Sequence, residues 1–140
     1  MIEKFQPRIK VKICGTTSLK DAFLAVESGA DAIGFIFYKM SPRNISQKEA
    51  KEIILQLPPF IETVGVFVNE TSDKINRIAE QCKLNSIQLH GEESPALCRR
   101  VKRKVIKAFR VKNADSLKSI ASYDVSGFLL DSYNDGSKGG

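Results

Sequence analysis

Six short apolar runs alternate with amphipathic stretches along this chain, and no two runs are joined by a hairpin turn. The runs predicted as strands are Ile9 to Ile13, Ala32 to Phe37, Val64 to Val68, Ile87 to His90, Val105 to Val111 and Phe128 to Asp131. Strand followed by helix, repeated, predicts crossover connections, and crossovers lay neighbouring strands parallel in one sheet. Each run is too apolar to face water, as expected of strands covered on both sides.

The stretches between the runs read as five helices. The first, Ser18 to Ser28, opens with Ser18 and Asp21 at capping-box spacing, repeats Leu19, Ala22, Phe23 and Val26 at helical period, and stops at Gly29. The second starts at Ser46 with Glu49 three residues on, carries Ala50, Ile53, Ile54 and Leu57 on one face, and ends at Pro58 and Pro59. A third begins between Thr71 and Asp73 and buries Ile75, Ile78 and Ala79; the fourth and fifth begin near Ser94 and Asp115.

Two parallel architectures fit this order: an open sheet wound on both faces, and part of an eight-stranded (β/α) barrel. A dinucleotide-binding open sheet wants Gly-x-Gly-x-x-Gly after its first strand. Here that turn reads Gly15-Thr16-Thr17-Ser18. Lys12, Gln88 and Lys107 also interrupt the apolar runs, and a barrel lumen can hold paired polar side chains that a sheet covered by helices on both faces accommodates less well. The predicted fold class is therefore α/β, a (β/α) barrel with about six strands and five helices in one domain.

At 140 residues, 42% hydrophobic and 27% charged, the chain is long enough to bury a core. Its net charge of +6 suits an anionic partner: a phosphorylated substrate, a membrane surface or nucleic acid. Cys14, Cys82 and Cys98 are too few and too irregularly spaced for a disulfide scaffold or a zinc site, which implies a reducing, cytoplasmic setting. The N-terminus has no apolar run of signal-peptide length, and no window approaches the roughly 20 apolar residues of a membrane span. The basic run from Arg99 to Lys104 reads as a solvated helix end better than as a nucleic-acid patch.

In parallel α/β folds the chemistry sits at the carboxyl ends of the strands. Cys14 ends the first run and Asp131 the last, so this thiol and carboxyl are the candidate catalytic pair. His90 ends the fourth run, as a substrate contact or a hydrogen-bonded lumen residue. Arg43 lies in the loop after the second. Cys82 and Cys98 fall on helices and read as core residues, Asn69 as a turn or rim residue, and Asp135 competes with Asp131 as the candidate acid.

Six segments in order carry a resemblance: Lys12-Ile13-Cys14-Gly15, Gly29 to Phe35, Ser41-Pro42-Arg43, Gly65 to Asn69, Gln88-Leu89-His90-Gly91 and Leu130-Asp131. Together they resemble the phosphoribosylanthranilate isomerase family. The resemblance implies a (β/α) barrel enzyme of tryptophan biosynthesis that performs an Amadori rearrangement of N-(5-phosphoribosyl)anthranilate without metal or cofactor. By position it implies Cys14 as general base and Asp131 as general acid, a role for which the carboxyl must hold a proton, as burial at a strand end favours. It assigns Arg43 to the anthranilate carboxylate, a bidentate task suited to guanidinium. Lys12, two residues from Cys14 on one strand, is expected one layer below the thiol, close enough to tune it.

Asn44 follows Arg43 where the family commonly has an aromatic residue. The family also continues past the glycine-rich segment at Asp135 to Gly140 with two more strand-helix units, whose loops usually grip phosphate in such barrels. The chain is thus expected to be a partial barrel lacking those units, with impaired activity and open sheet edges prone to self-association. Two other readings stand beside this one: an inactive barrel remnant or interaction module, and a different phosphate-using (β/α) barrel enzyme. The partner expected is a small phosphorylated substrate, with no nucleic acid and no membrane.

Overall fold

The computed structural model describes residues 8–133 of the chain. Strands β1 (Lys12–Cys14), β2 (Ala32–Ile36), β3 (Glu62–Phe67), β4 (Ser86–Leu89), β5 (Lys104–Val111) and β6 (Gly127–Ser132) form one sheet, paired in chain order. Every pair is parallel. A sheet wound on both faces reverses its strand order at a switch point; this one never does, so its connections stay on one face. That one-sided winding is the construction of a (β/α) barrel.

The connecting helices are α1 (Leu19–Glu27), α2 (Gln47–Ile54), α3 (Ser72–Cys82) and α4 (Pro95–Cys98). Each starts at a side-chain cap, because a hydroxyl satisfies an amide that the first turn leaves unpaired. Ser18, Ser46, Thr71 and Ser94 accept from the amides of Asp21, Glu49, Lys74 and Leu97. At α2 the box is reciprocal, with the Ser46 amide donating to Glu49 at 3.1 Å. Ala22 and Ala25 of α1, Ala50 and Ile53 of α2, and Ile75 and Ile78 of α3 pack on Ile33, Phe35, Phe67, Ile87 and Leu89 of the sheet.

Two helices are shorter than their sequence patterns suggest. Helix α4 stops after Cys98 because the Asn76 side chain on α3 takes over the following backbone, donating to the Arg100 carbonyl at 2.9 Å and accepting from the Lys102 amide at 2.8 Å. The fifth helical connection is two short 3-10 turns, Ala114–Leu117 and Ile120–Ser122. Serine hydroxyls compete there for backbone groups: Ser116 accepts from the Lys112 amide, and Ser122 donates to the Ser119 carbonyl.

One expectation is corrected. Lys107 does not face the lumen: it pairs in register with Leu89, which belongs to the helix-side core. Because pleat parity alternates along a strand, one residue decides the face. A buried lysine needs partners, and Nζ has them. It donates to the carbonyls of Gly91 and Ala108 at 2.7 and 2.9 Å and lies 3.1 Å from Glu93 Oε2. The two side chains are 3% and 1% exposed. Glu93 also accepts from the amides of Asn69 and Gly91, so one carboxylate joins the loops after β3 and β4 to strand β5.

Strand β1 begins later than predicted, and the residues before it are held by Asp31, whose carboxylate accepts from the Val11 amide at 2.9 Å. That hydrogen bond, with the nearby charges of Lys10 and Arg8, holds the Asp31 carboxyl below the usual carboxylate range. Strands β1 and β6 are the outer strands of the sheet, and Ile9, Val11, Ile13, Phe128 and Leu130 leave apolar surface exposed along them.

Removing one member of a buried ion pair leaves the other charge unmatched, at a cost of about 3–5 kcal/mol. Glu93→Gln, which keeps an acceptor for the Asn69 and Gly91 amides, should lose that amount in urea unfolding, and Glu93→Ala more. An unfolding free energy unchanged in Glu93→Ala would show that the pair does not anchor the loops.

Candidate functional site

The register places the candidate residues on one face of the sheet. Cys14 pairs with Gly34, and Gly34 with Val64. Gln88 pairs with Val66 and Ile106, which pairs with Gly127, and Asp131 lies four residues further along β6, opposite Arg110. Side chains alternate faces along a strand, so Cys14, Gln88, Arg110 and Asp131 share the face opposite the helices. Cys14 and Asp131 stand at the carboxyl ends of the two outer strands.

One half of the site is built at the end of β1. The chain turns at Gly15, whose φ of +85° is left-handed, and the amides of Gly15 and Thr16 both donate to the Gly34 carbonyl at 2.9 and 3.1 Å. The Ser41-to-Asn44 loop folds back on β2, with Asn44 Nδ2 donating to the Ile36 carbonyl at 3.1 Å. Asn44, the departure from the family pattern, thus ties this loop to its strand. Arg43 is carried over Gly15 and donates from Nη1 to the Cys14 carbonyl at 2.8 Å. A Cβ on Gly15 would lie 2.7 Å from Arg43 Cδ and Nη1, so glycine is what permits this approach. A Cβ on Gly34 would meet Cys14 Sγ at 2.9 Å and Lys12 Nζ at 3.3 Å. The ammonium and the thiol therefore border the same small space above Gly34.

The other half is a chain of three side chains. Gln88 Nε2 lies 2.8 Å from His90 Nδ1, and His90 Nε2 lies 3.2 Å from Asp131 Oδ2. Both ring nitrogens are therefore engaged, Nδ1 with the Gln88 amide and Nε2 with the Asp131 carboxyl. His90 is thus a hydrogen-bonded lumen residue that fixes Asp131. The imidazole is 15% and the carboxyl 28% exposed, leaving the acid partly open to a ligand. Beside His90, a cavity of about 280 Å³ is lined by Arg110, Lys107, Phe109, Ser116, Ser119 and Tyr123 among others. A larger groove of about 450 Å³ lies on the far side of α3, lined by Asp73, Asn76, Arg77, Glu80 and the basic pair Lys102 and Arg103, remote from these groups.

Cys82 and Cys98 are core residues, 1% and 3% exposed, and burial pushes both thiols up from the ordinary range. Asn69 is a rim residue in the left-handed region, φ 51°, whose Oδ1 accepts from the Glu92 amide at 2.7 Å. Within the basic run, Arg103 pairs with Glu80 at 2.7 Å. Asp135 and the glycine-rich segment lie outside the described residues. Among the described residues no group of three His, Cys, Asp or Glu side chains is placed to hold a metal ion, and no helix is long and apolar enough to cross a membrane. Glu93 and Arg110 had no signal in the sequence, since each stands beside other charges or apolar neighbours without a motif.

A sheet wound on one side, with a thiol and a carboxyl facing inward at its carboxyl ends, belongs to the (β/α)-barrel class. The comparisons narrow that class. A family model described as N-(5'phosphoribosyl)anthranilate (PRA) isomerase matches residues 11–140. The N-(5'-phosphoribosyl)anthranilate isomerase of Citrifermentans bemidjiense is 56% identical over 131 residues, 94% of this chain and 64% of the relative. The crystal structure of the Thermotoga maritima phosphoribosyl anthranilate isomerase superposes with a TM-score of 0.88 at 44% identity, covering 95% of this chain and 66% of that one. A phosphoribosyl anthranilate isomerase in complex with reduced 1-(o-carboxyphenylamino)-1-deoxyribulose 5-phosphate gives 0.86 at 47% identity, covering 91% and 66%. The chain belongs to the phosphoribosylanthranilate isomerase family, and it spans 64% of the length of the curated relative it matches.

Two outcomes follow from this geometry. Gly15→Ala should cost about 1–2 kcal/mol for the left-handed backbone alone and displace Arg43, so urea unfolding should register at least that loss; an unchanged midpoint would contradict the described turn. A thiol reagent should label one cysteine per native chain, Cys14, and three in denaturant. Rapid native labelling of Cys82 or Cys98 would show that the core opens there.

Proposed function

We propose that this chain carries the acid–base machinery for the Amadori rearrangement of N-(5-phosphoribosyl)anthranilate to 1-(2-carboxyphenylamino)-1-deoxyribulose 5-phosphate, a step of tryptophan biosynthesis. The observation that supports it most is the inward-facing carboxyl of Asp131, hydrogen-bonded by His90, on the same face of the sheet as Cys14. Asp131 gives a proton to the ribose ring oxygen, the bond from that oxygen to C1 breaks, and the anthranilate nitrogen takes up the positive charge as an iminium. Cys14, as thiolate, removes the C2 proton. The electron pair of that C–H bond becomes the C1–C2 double bond of an enol-amine, which tautomerises to the ketone. The His90 donor supports the carboxylate left after the first transfer.

Arg43 takes the anthranilate carboxylate beside Cys14, and the ammonium of Lys12 favours negative charge on the thiol. The three free thiols among the described residues suit a reducing, cytoplasmic setting. The exposed apolar residues along β1 and β6 favour self-association through these edges.

Turnover is followed with substrate generated in situ, using the chain alone and the chain mixed with a fragment carrying the remaining third of the Citrifermentans bemidjiense relative. Activity is expected to rise with the fragment, because remote binding of the phosphate helps orient the sugar. Cys14→Ala and Asp131→Asn should each lower turnover by at least about 100-fold. Turnover retained by both variants would refute the assignment.

A further inference from the structure

We propose that Glu93 is a positioning residue for the acid: with Lys107 it clamps the Gly91 peptide, and through that peptide it sets where His90 meets Asp131. The inference rests on reading Asp131 as the acid. His90 reaches from the end of β4 past β5 to Asp131 on β6, so its base must be aimed across an intervening strand. The 3.2 Å contact has little slack, since at about 3.6 Å it would no longer be a hydrogen bond.

Two peptide planes set that aim. The His90 amide donates to the Phe67 carbonyl of β3 at 2.9 Å, which ties down the plane before the residue. The plane after it contains the Gly91 amide, which donates to Glu93 Oε2 at 2.9 Å. Because peptide units are planar, holding both planes sets φ and ψ of His90, and the direction of its side chain follows. Glu93 Oε1 also accepts from the Asn69 amide at 2.8 Å, while Lys107 Nζ donates to the Gly91 carbonyl at 2.7 Å. Gly91 is thus held on both sides of its Cα. A Cβ there would lie 2.9 Å from the Asn69 backbone nitrogen, so this close approach requires glycine. Asn69, Gly91 and Lys107 all present donors to the Glu93 carboxyl, which suits a carboxylate that only accepts.

His90 is the only histidine in the sequence, so its ring supplies the only imidazole signals in a nuclear magnetic resonance spectrum of the full labelled chain. In the parent, Asp131→Asn should shift those signals, because it replaces the carboxyl beside Nε2. The same substitution is then made together with Glu93→Met and Lys107→Met, which remove both charges of the buried pair and leave neither unmatched. There it should shift the ring signals by about half as much or less, since coupled sites do not add. An equal shift in the two backgrounds overturns the proposal, and so does a parent ring indifferent to Asp131→Asn. A pair that only stabilised the fold would leave the shift intact in a folded double variant. Should the double variant not fold, amide hydrogen exchange in the parent decides. The Gly91 amide is expected to exchange as slowly as that of His90, and exchange at the rate of an unstructured peptide overturns the proposal. These signals are read without turnover, so failure of the acid assignment and failure of the clamp are separate results.

Discussion

A carboxylate that never touches the candidate chemistry holds its surroundings in place. Glu93 is buried, carries charge, and can be accommodated only because Lys107 and the amides of Asn69 and Gly91 converge on it. Those partners come from the loop after β3, the loop after β4 and the body of β5. His90 immediately precedes Gly91, and Tyr123 adds a further tie by donating to the Glu93 carbonyl at 2.9 Å. The position of the imidazole, and through it of Asp131, is therefore inherited from an ion pair on the other side of the sheet. Desolvation makes such a pair costly to assemble and costlier to break, which is the property wanted beneath a group whose placement matters to fractions of an ångström.

The candidate site consists of two separately supported halves. At β1 and β2, Gly15, Arg43 and Asn44 lock the loop after β2 against the strand that carries Cys14. From β4 to β6, Gln88 and His90 hold Asp131. The halves are carried by different strands, so their separation is set by the curvature and register of the sheet between them. Core packing among Ile33, Phe35, Phe67, Ile87 and Leu89 is thus also site geometry. The proposed reaction, in which a base and an acid serve opposite sides of one sugar, needs such a separation, since direct contact would let the two neutralise each other.

Much of this was legible in the sequence, for definite reasons. The serine caps at Ser18 and Ser46 marked the first two α-helix starts because an unpaired amide at each N-terminus has few local solutions. The strands declared themselves as apolar runs, and the absence of a hairpin signal fixed their direction. What periodicity does not carry is the face on which an isolated polar residue lies. Lys12, Gln88 and Lys107 look alike in the sequence, yet the first two face inward and the third outward, because the register of β5 against β4 decides it. The ends of α4 and of the fifth connection were illegible for a similar reason: the Asn76 contacts that end α4 are made across 24 and 26 residues. Glu93 is the extreme case, a residue that reads as one of two solvated charges in Gly91-Glu92-Glu93 and is the more deeply buried member of an internal ion pair.

The excess positive charge of the chain gains meaning from where these elements end. In a (β/α) unit the helix that follows a strand begins near that strand's carboxyl end, so the N-termini of α1, α2 and α3 and their partial positive charges lie on the side that carries the candidate residues. Arg43 and Arg110 are added at that same end, and Lys12 lies on the same face close to Cys14. An anion such as the proposed substrate, with its carboxylate and phosphate, is drawn toward such a field before any specific contact forms. The cations are spread over both edges of the sheet: Lys12 and Arg43 stand beside Cys14, and Arg110 is the register partner of Asp131.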